Sequence, residues 1–265
     1  MTADVWSDTA GQGAGSGRTD GFVGAVAAEW TKLWSVRAPY LCLLVGLVAT
    51  GVFTFYYGSI ARINEHALQP VGNAVVSSTV LVQFAVVVLA TVTVTGEYTT
   101  SSMTASLLWV PVRHRVQLAK ALLTGVVAFF AGALCAGLGM AVAWGPFAGR
   151  ASFDAGEAAR HVLGVGLFYA LVAVLTVGVS FATRHAAGAL AVLFTLLWAL
   201  PSMLMGLGGP ALLAVNDWLP HSAGEHFMRT GPDAPYPPAG AVLILLAWAV
   251  AAHLTGLYVL RRRDA

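Results

Sequence analysis

His221, Glu225 and His226 are the residues in this sequence that come nearest to a metal-hydrolase set. Their spacing is H-x-x-x-E-H, whereas zinc hydrolase helices use H-E-x-x-H or H-x-x-E-H, which put the ligands on one helical face. Positions i and i+5 lie about 140° apart on a helix, so surface-loop histidines explain this set better than a metal site does. Lys32 and Lys120 are the only lysines, and Leu33 and Ala121 follow them. A phosphate-binding P-loop needs Gly-Lys followed by Ser or Thr. The chain therefore cannot hydrolyse ATP by that route. His253 and Gln83 are isolated polar groups in apolar surroundings. A lone imidazole in such a helix bonds to a neighbouring helix more often than it relays protons. Glu97 stands at the border of an apolar stretch and reads as a solvated helix end near Arg or Lys. Cys42 and Cys135 read as small packing residues; neither a disulfide nor a thiol metal site is expected.

The elements that carry these groups follow from charge-free runs. Residues 39–57, 75–96, 121–144, 162–182, 187–207 and 240–260 contain no Asp, Glu, Lys or Arg. A helix rises about 1.5 Å per residue, so about 20 residues cross a hydrocarbon core of about 30 Å. The composition agrees: 58% of residues are hydrophobic, 10% are charged, and the mean hydropathy is +0.76. The sequence thus predicts an all-α membrane protein of six transmembrane helices. It divides into a disordered tail over 1–20, an interfacial helix over 21–38 and a six-span domain over 39–262. The tail lacks the apolar core of a cleavable signal, which leaves the first span as insertion signal. A net charge of +2 gives no reason to expect a nucleic-acid partner.

Basic residues set the expected orientation. Arg18, Lys32, Arg37, Arg113, Arg115, Lys120, Arg184, Arg261, Arg262 and Arg263 fall on one side; Arg62, Arg150, Arg160 and Arg229 fall on the other. The positive-inside rule therefore places both termini in the cytoplasm of a multi-pass cell-membrane protein.

Two cytoplasmic segments carry more than topology. In FVGAVAAEWTKLWSVR, residues 22–37, Phe22, Val23, Val26, Trp30, Leu33 and Trp34 gather on one helical face, and Glu29 can pair weakly with Lys32. Two Trp beside Lys and Arg suit a helix lying in the membrane plane. Residues 96–120, GEYTTSSMTASLLWVPVRHRVQLAK, combine hydroxyls, apolar side chains and cations. Docking onto a partner protein and simple enforcement of topology stand level as readings of that composition. Beyond these, Pro201 should kink the fifth span. The segment 208–239 holds more than half of the eleven prolines, and its middle, NDWLPHSAGEHFM at 216–228, suits a short re-entrant or interfacial helix. Ala128, Gly132 and Ala136 form a small-residue ridge suited to tight helix packing, within a bundle or in a homodimer.

Three stretches, in order and in register with the six spans, resemble the permease subunits of type-two ABC exporters, particularly those of high-GC Gram-positive bacteria. They are AAEWTKLWSVRAPY at 27–40, TGEYTTSSMTASLLWVPVRHRVQLAKAL at 95–122 and WLPHSAGEHFM at 218–228. The family often has Gly-Thr after the Glu-Tyr pair where this chain has Ser101-Ser102. The resemblance implies a transport subunit that is not itself an enzyme and holds no cofactor. It would work as a homodimer or heterodimer of permeases with separate ABC ATP-binding subunits, exporting an amphiphilic or hydrophobic substrate. It further implies a coupling helix that seats in the ATPase, carried by Glu97, Tyr98, Thr99, Thr100, Met103, Leu107, Pro111, Arg113, Arg115 and Lys120. The interfacial connecting helix would present Phe22, Val26, Trp30, Leu33 and Trp34. The alternatives are an accessory or immunity-type membrane protein without transport, and a membrane-embedded metal hydrolase.

Overall fold

The computed structural model describes residues 20–99, 113–229 and 235–262. Six of its helices are long and apolar enough to cross a membrane, as the charge-free runs require. Chain order runs α1 (Asp20–Ser35), α2 (Ala38–Ile63), α3 (Gly72–Thr99), α4 (Arg113–Phe147), α5 (Ala155–Thr183), α6 (Ala186–Leu207), α7 (Pro210–Asp217), α8 (Pro220–Met228) and α9 (Pro238–Arg262). The spans are α2, α3, α4, α5, α6 and α9.

The helices outrun the charge-free stretches that announced them. α2 continues past residue 57 to Ile63, α4 starts at Arg113 rather than 121, and α5 starts at Ala155 rather than 162. Absence of charge marks only the depth of hydrocarbon, whereas backbone hydrogen bonding propagates beyond it into water. Local signals fix several ends. Asp154 caps α5 by accepting the Glu157 N–H at 2.9 Å, and Pro39 sits in the first turn of α2, where its missing N–H costs nothing. Arg184 ends α5 in the left-handed region at φ 59°, and its guanidinium donates to Val259 O at 3.2 Å on α9.

α3 and α5 are the most enclosed spans, while α2, α6 and α9 keep most of their surface for lipid. The main core gathers Val86, Val87, Ala128, Phe168, Tyr169 and Val172 among its members. The small-residue ridge of α4 is used here. A Cβ on Gly132 would stand 2.9 Å from Val165 O, and Ala128 and Ala136 are fully buried. The ridge packs α4 onto α5 inside one chain, so it is not a face open to a second copy. α5 meets α9 as closely: a Cβ on Gly178 would lie 2.7 Å from the Ala252 carbonyl carbon. His253 clamps the same seam. Its Nε2 lies 2.8 Å from Val174 O on α5, and Gln117 Nε2 on α4 reaches its Nδ1 at 2.8 Å and its carbonyl at 3.0 Å. Both ring nitrogens are thus engaged between helices, as expected for a lone intramembrane imidazole.

The bundle has two differently built ends. At one, α1 crosses the start of α2, the end of α3 and the start of α4. At the other, the short helices α7 and α8 follow α6, and a parallel pairing of Gln69–Pro70 with Ala151–Ser152 ties two connections together. The short helix expected within 216–228 is α8, most of it buried, and α7 precedes it.

Candidate functional site

At the α1 end, four charged side chains from three elements close a ring. Glu29 and Lys32 come from α1, Glu97 from the last turns of α3, and Lys120 from the third turn of α4. Lys32 Nζ lies 3.0 Å from Glu29 Oε1 and 2.8 Å from Glu97 Oε1. Lys120 Nζ lies 2.5 Å from Glu29 Oε2 and 3.0 Å from Glu97 Oε1, and donates its third proton to Thr93 O at 3.2 Å. Two ammoniums face two carboxylates, so the ring is neutral. Lys120 is only 2% exposed, and a lone charge so placed would cost several kcal/mol. Lys32 is more open, at 45% exposure of its side chain. Burial opposes its charge, but the hydrogen bonds and charges of Glu97 and Glu29 outweigh that and raise its pKa above the usual lysine value.

The local sequence explains how α1 enters this ring. Glu29 and Leu33 are one turn apart and about 40° apart around the helix. Leu33 packs on Leu89, Leu123 and Val127, which turns Glu29 toward α3 and α4. The buried face of α1 is thus the Glu29–Leu33 side. Trp30 remains half exposed and meets Trp34 edge-on at 5.6 Å, leaving an aromatic surface suited to a membrane interface. Val26 is partly buried, and the side chain of Phe22 lies outside the described residues. A cavity of about 600 Å³ adjoins the ring, walled by Pro39, Val92, Leu123 and the stems of the four charged residues.

Of the ten residues expected to seat in a partner, Glu97 and Lys120 point inward and pair within the chain. Glu97 is no solvated helix end: it is 8% exposed. Tyr98 is half-buried against Phe181, with the Arg184 guanidinium 5.7 Å from its ring centre. Thr100, Met103, Leu107 and Pro111 lie outside the described residues, as do the side chains of Thr99, Arg113 and Arg115. The ring sits at both anchor points of the segment between α3 and α4. Sequence reasoning foresaw the Glu29–Lys32 pair and singled out Glu97 and Lys120, but did not join them. The available signal was one-sided: Lys32 stands one turn from Glu29, but the glutamate nearest Lys120 is Glu97, 23 residues earlier.

At the α8 end a second cavity, of about 560 Å³, opens between α3, α6, α7 and α8. His226 Nε2 lies 3.3 Å from Asp217 Oδ1; Arg229 binds Glu225 Oε1 at 2.8 Å and Ser77 Oγ at 2.9 Å. Tyr236 OH donates to Asp217 O. Burial raises the Tyr236 phenol to about 12, with Asp217 adding to the effect. His221 turns away from His226 and meets the edge of Phe168. Burial is the main cause that holds its imidazole below the usual range; Glu225 opposes that lowering and Arg229 assists it. Among the described residues no three His, Cys, Asp or Glu side chains are grouped to hold a metal ion. Below the cavity, α6 makes a π-turn over Thr195–Ala199 just before Pro201. Pro201 has no N–H to give the carbonyl four residues earlier, and that carbonyl, Leu197 O, instead faces Gln83 Nε2 at 3.5 Å.

No protein-family model and no curated protein matches this chain.

Proposed function

We propose that this chain is the membrane-spanning subunit of an ATP-driven exporter, moved by a separate ATP-binding protein that docks on the segment between α3 and α4. The observation that carries the reading is the ion ring. Glu97 stands three residues before Thr100, Lys120 stands eight after Val112, and both are fastened to α1. A push on residues 100–112 would act on α1, α3 and α4 as one body, because separating them would strand buried charges. A ligand shifts a conformation only by binding its states unequally, so ATP closing the partner supplies the bias and the docked segment transmits it. Basic residues beside that segment and the resemblance of 95–122 to exporter permeases support the same reading. In it, both termini and the α1 end face the cytoplasm of a cell-membrane protein, and two permease chains assemble with two ATPases. The exposed tryptophan face of α1 lies in the lipid interface.

The test is affinity purification of the tagged chain from native membranes, with nucleotide hydrolysis measured in the eluate. The expected result is co-purifying ATPase activity that disappears when Arg113 and Arg115 are both changed to Glu. Hydrolysis by the isolated chain, or an ATPase retained after residues 100–112 are replaced by Gly-Ser, would overturn the proposal.

A further inference from the structure

We infer that the last turns of α6 together with α7, Leu200–Asp217, form a hinged strap that opens and closes one wall of the cavity at the α8 end. The strap bends at the Thr195–Pro201 turn and again at Gly208–Gly209. This goes beyond the export reading and is a property of the chain alone.

α6 is built differently on the two sides of that turn. Before it, Ala189 and Leu193 are fully buried, Leu193 in the main core, and Phe194 meets Phe84 of α3 at 5.5 Å. After it, only Pro201 and Leu204 of α6 and Asn216 of α7 are buried. Met203, Met205, Leu207 and Val215 are each more than half exposed. This part of α6 packs on the turn and on α7, and α7 packs only lightly on α8. A segment with few buried contacts is displaced at low cost.

The two joints are visible in the backbone. The π-turn passes the Leu200 N–H to Thr195 O, and Pro201 brings no N–H to Leu197 O. Gln83 Nε2 reaches Leu197 O only at 3.5 Å, while donating to Val80 O at 2.9 Å. Helices bend at π-turns and at prolines. The second joint is the link between α6 and α7, where Gly208 and Gly209 take φ values of 67° and 94° that other residues resist.

Beyond α7 the chain is pinned. Tyr236 OH donates to Asp217 O, Trp248 Nε1 donates to Trp218 O at 2.9 Å, and His226 Nε2 lies 3.3 Å from Asp217 Oδ1. A segment held at both ends and jointed at its start and middle can swing without releasing either anchor. Pro201, Ser202, Met205 and Leu213 of the strap line the cavity together with Val76 and Val80 of α3. Movement of the strap therefore changes access to the α3 wall.

The experiment uses the full chain in nanodiscs, with Cys42 and Cys135 replaced by Ala. Distances between nitroxide pairs are measured by double electron–electron resonance. One pair joins Met205→Cys to Leu163→Cys on α5; the control joins Val192→Cys, before the turn, to the same Leu163→Cys. In a separate variant Val76→Cys, at a site only 2% exposed, reacts with a membrane-impermeant methanethiosulfonate. The Met205 pair should give a broad or two-peaked distribution and the Val192 pair a single narrow one. Pro201→Ala supplies an N–H that can close onto Leu197 O, so it should narrow the Met205 distribution and slow Val76→Cys labelling several-fold. Equal widths for the two pairs, a Met205 distribution left as broad by Pro201→Ala, or an unchanged labelling rate would each overturn the strap. Because no ATPase is present, those results leave the export reading standing. Loss of ATPase co-purification would leave the strap standing.

Discussion

The two ends of the bundle hold their charged side chains at different depths. At the α1 end, Lys120 is deeply buried, yet its three donors meet Glu29, Glu97 and Thr93 O, and the charges cancel. At the α8 end the charged side chains lie shallower, around a cavity of about 560 Å³. A closed network resists being pulled apart, because any separation exposes an unpaired charge to low dielectric. In the proposed reading, the contrast suits the α1 end to transmitting force.

The largest break expected is at the ring. Lys120→Met leaves two buried carboxylates facing Lys32 alone and should cost about 3–5 kcal/mol, read as a steep fall in the detergent-solubilised melting temperature. Adding Glu29→Gln restores charge balance and should recover much of that loss. If the double variant melts no higher than the single, the ring is not a charge-balanced unit.

Next comes the glycine seam in the same half of the molecule. Gly178→Leu drives a side chain into the α9 backbone, since even a Cβ would lie 2.7 Å from the Ala252 carbonyl carbon. A cost of about 1–3 kcal/mol or more is expected, against near-neutrality for the same change at Gly137, where no atom lies within 4 Å. Comparable melting of the two variants would contradict the close α5–α9 approach.

His253→Ala strands Gln117 and Val174 O and should cost about 1–3 kcal/mol, and His253→Gln should recover part of it. At the α8 end, Arg229→Ala removes a half-exposed pair with Glu225 and should cost no more than about 1 kcal/mol. A loss at Arg229 as large as at Lys120 would erase the contrast between the ends.

The smallest effect is in pH. His221 is held below the usual histidine range when folded, mainly by burial, so the unfolded chain binds more protons once pH falls below about 6.5. Stability tied to this group is therefore complete above that value and declines as pH drops through the folded pKa. Glu225 on its own helix and Arg229 just past the end of that helix act on it, and Phe168 of α5 packs against it. The melting temperature should drop on the acid side, and His221→Gln should flatten that limb. An unchanged acid limb in the variant would remove His221 as its source.

Much of this was legible in the residues. The six spans stand where the charge-free runs put them, α1 is a helix with Trp30 exposed and Trp34 partly buried, and Pro201 does disturb α6. The Glu29–Lys32 pair was readable because i and i+3 share a face. Less legible was the inward turn of Glu97 and Lys120. Both border apolar runs, and nothing within a few residues of either distinguishes a solvated helix end from a buried ion pair. Their partners lie 65 and 91 residues away along the chain. Gln83 and Pro201 pose the same difficulty: the proline announces a freed carbonyl, but not which helix brings the amide that meets it.

Span number, span position and the choice of helix were determined by sequence alone. A bilayer requires that each crossing be apolar and satisfy its own backbone hydrogen bonds, and both are local properties of about 20 consecutive residues. Which side chains meet was decided only by the tertiary structure. Each residue turns the helix face by about 100°, so the azimuth at which one helix seats against the next determines whether a carboxylate faces lipid, water or an ammonium. That azimuth is set by contacts such as Gly132 on Val165 and Gly178 on Ala252, made between residues far apart in the chain.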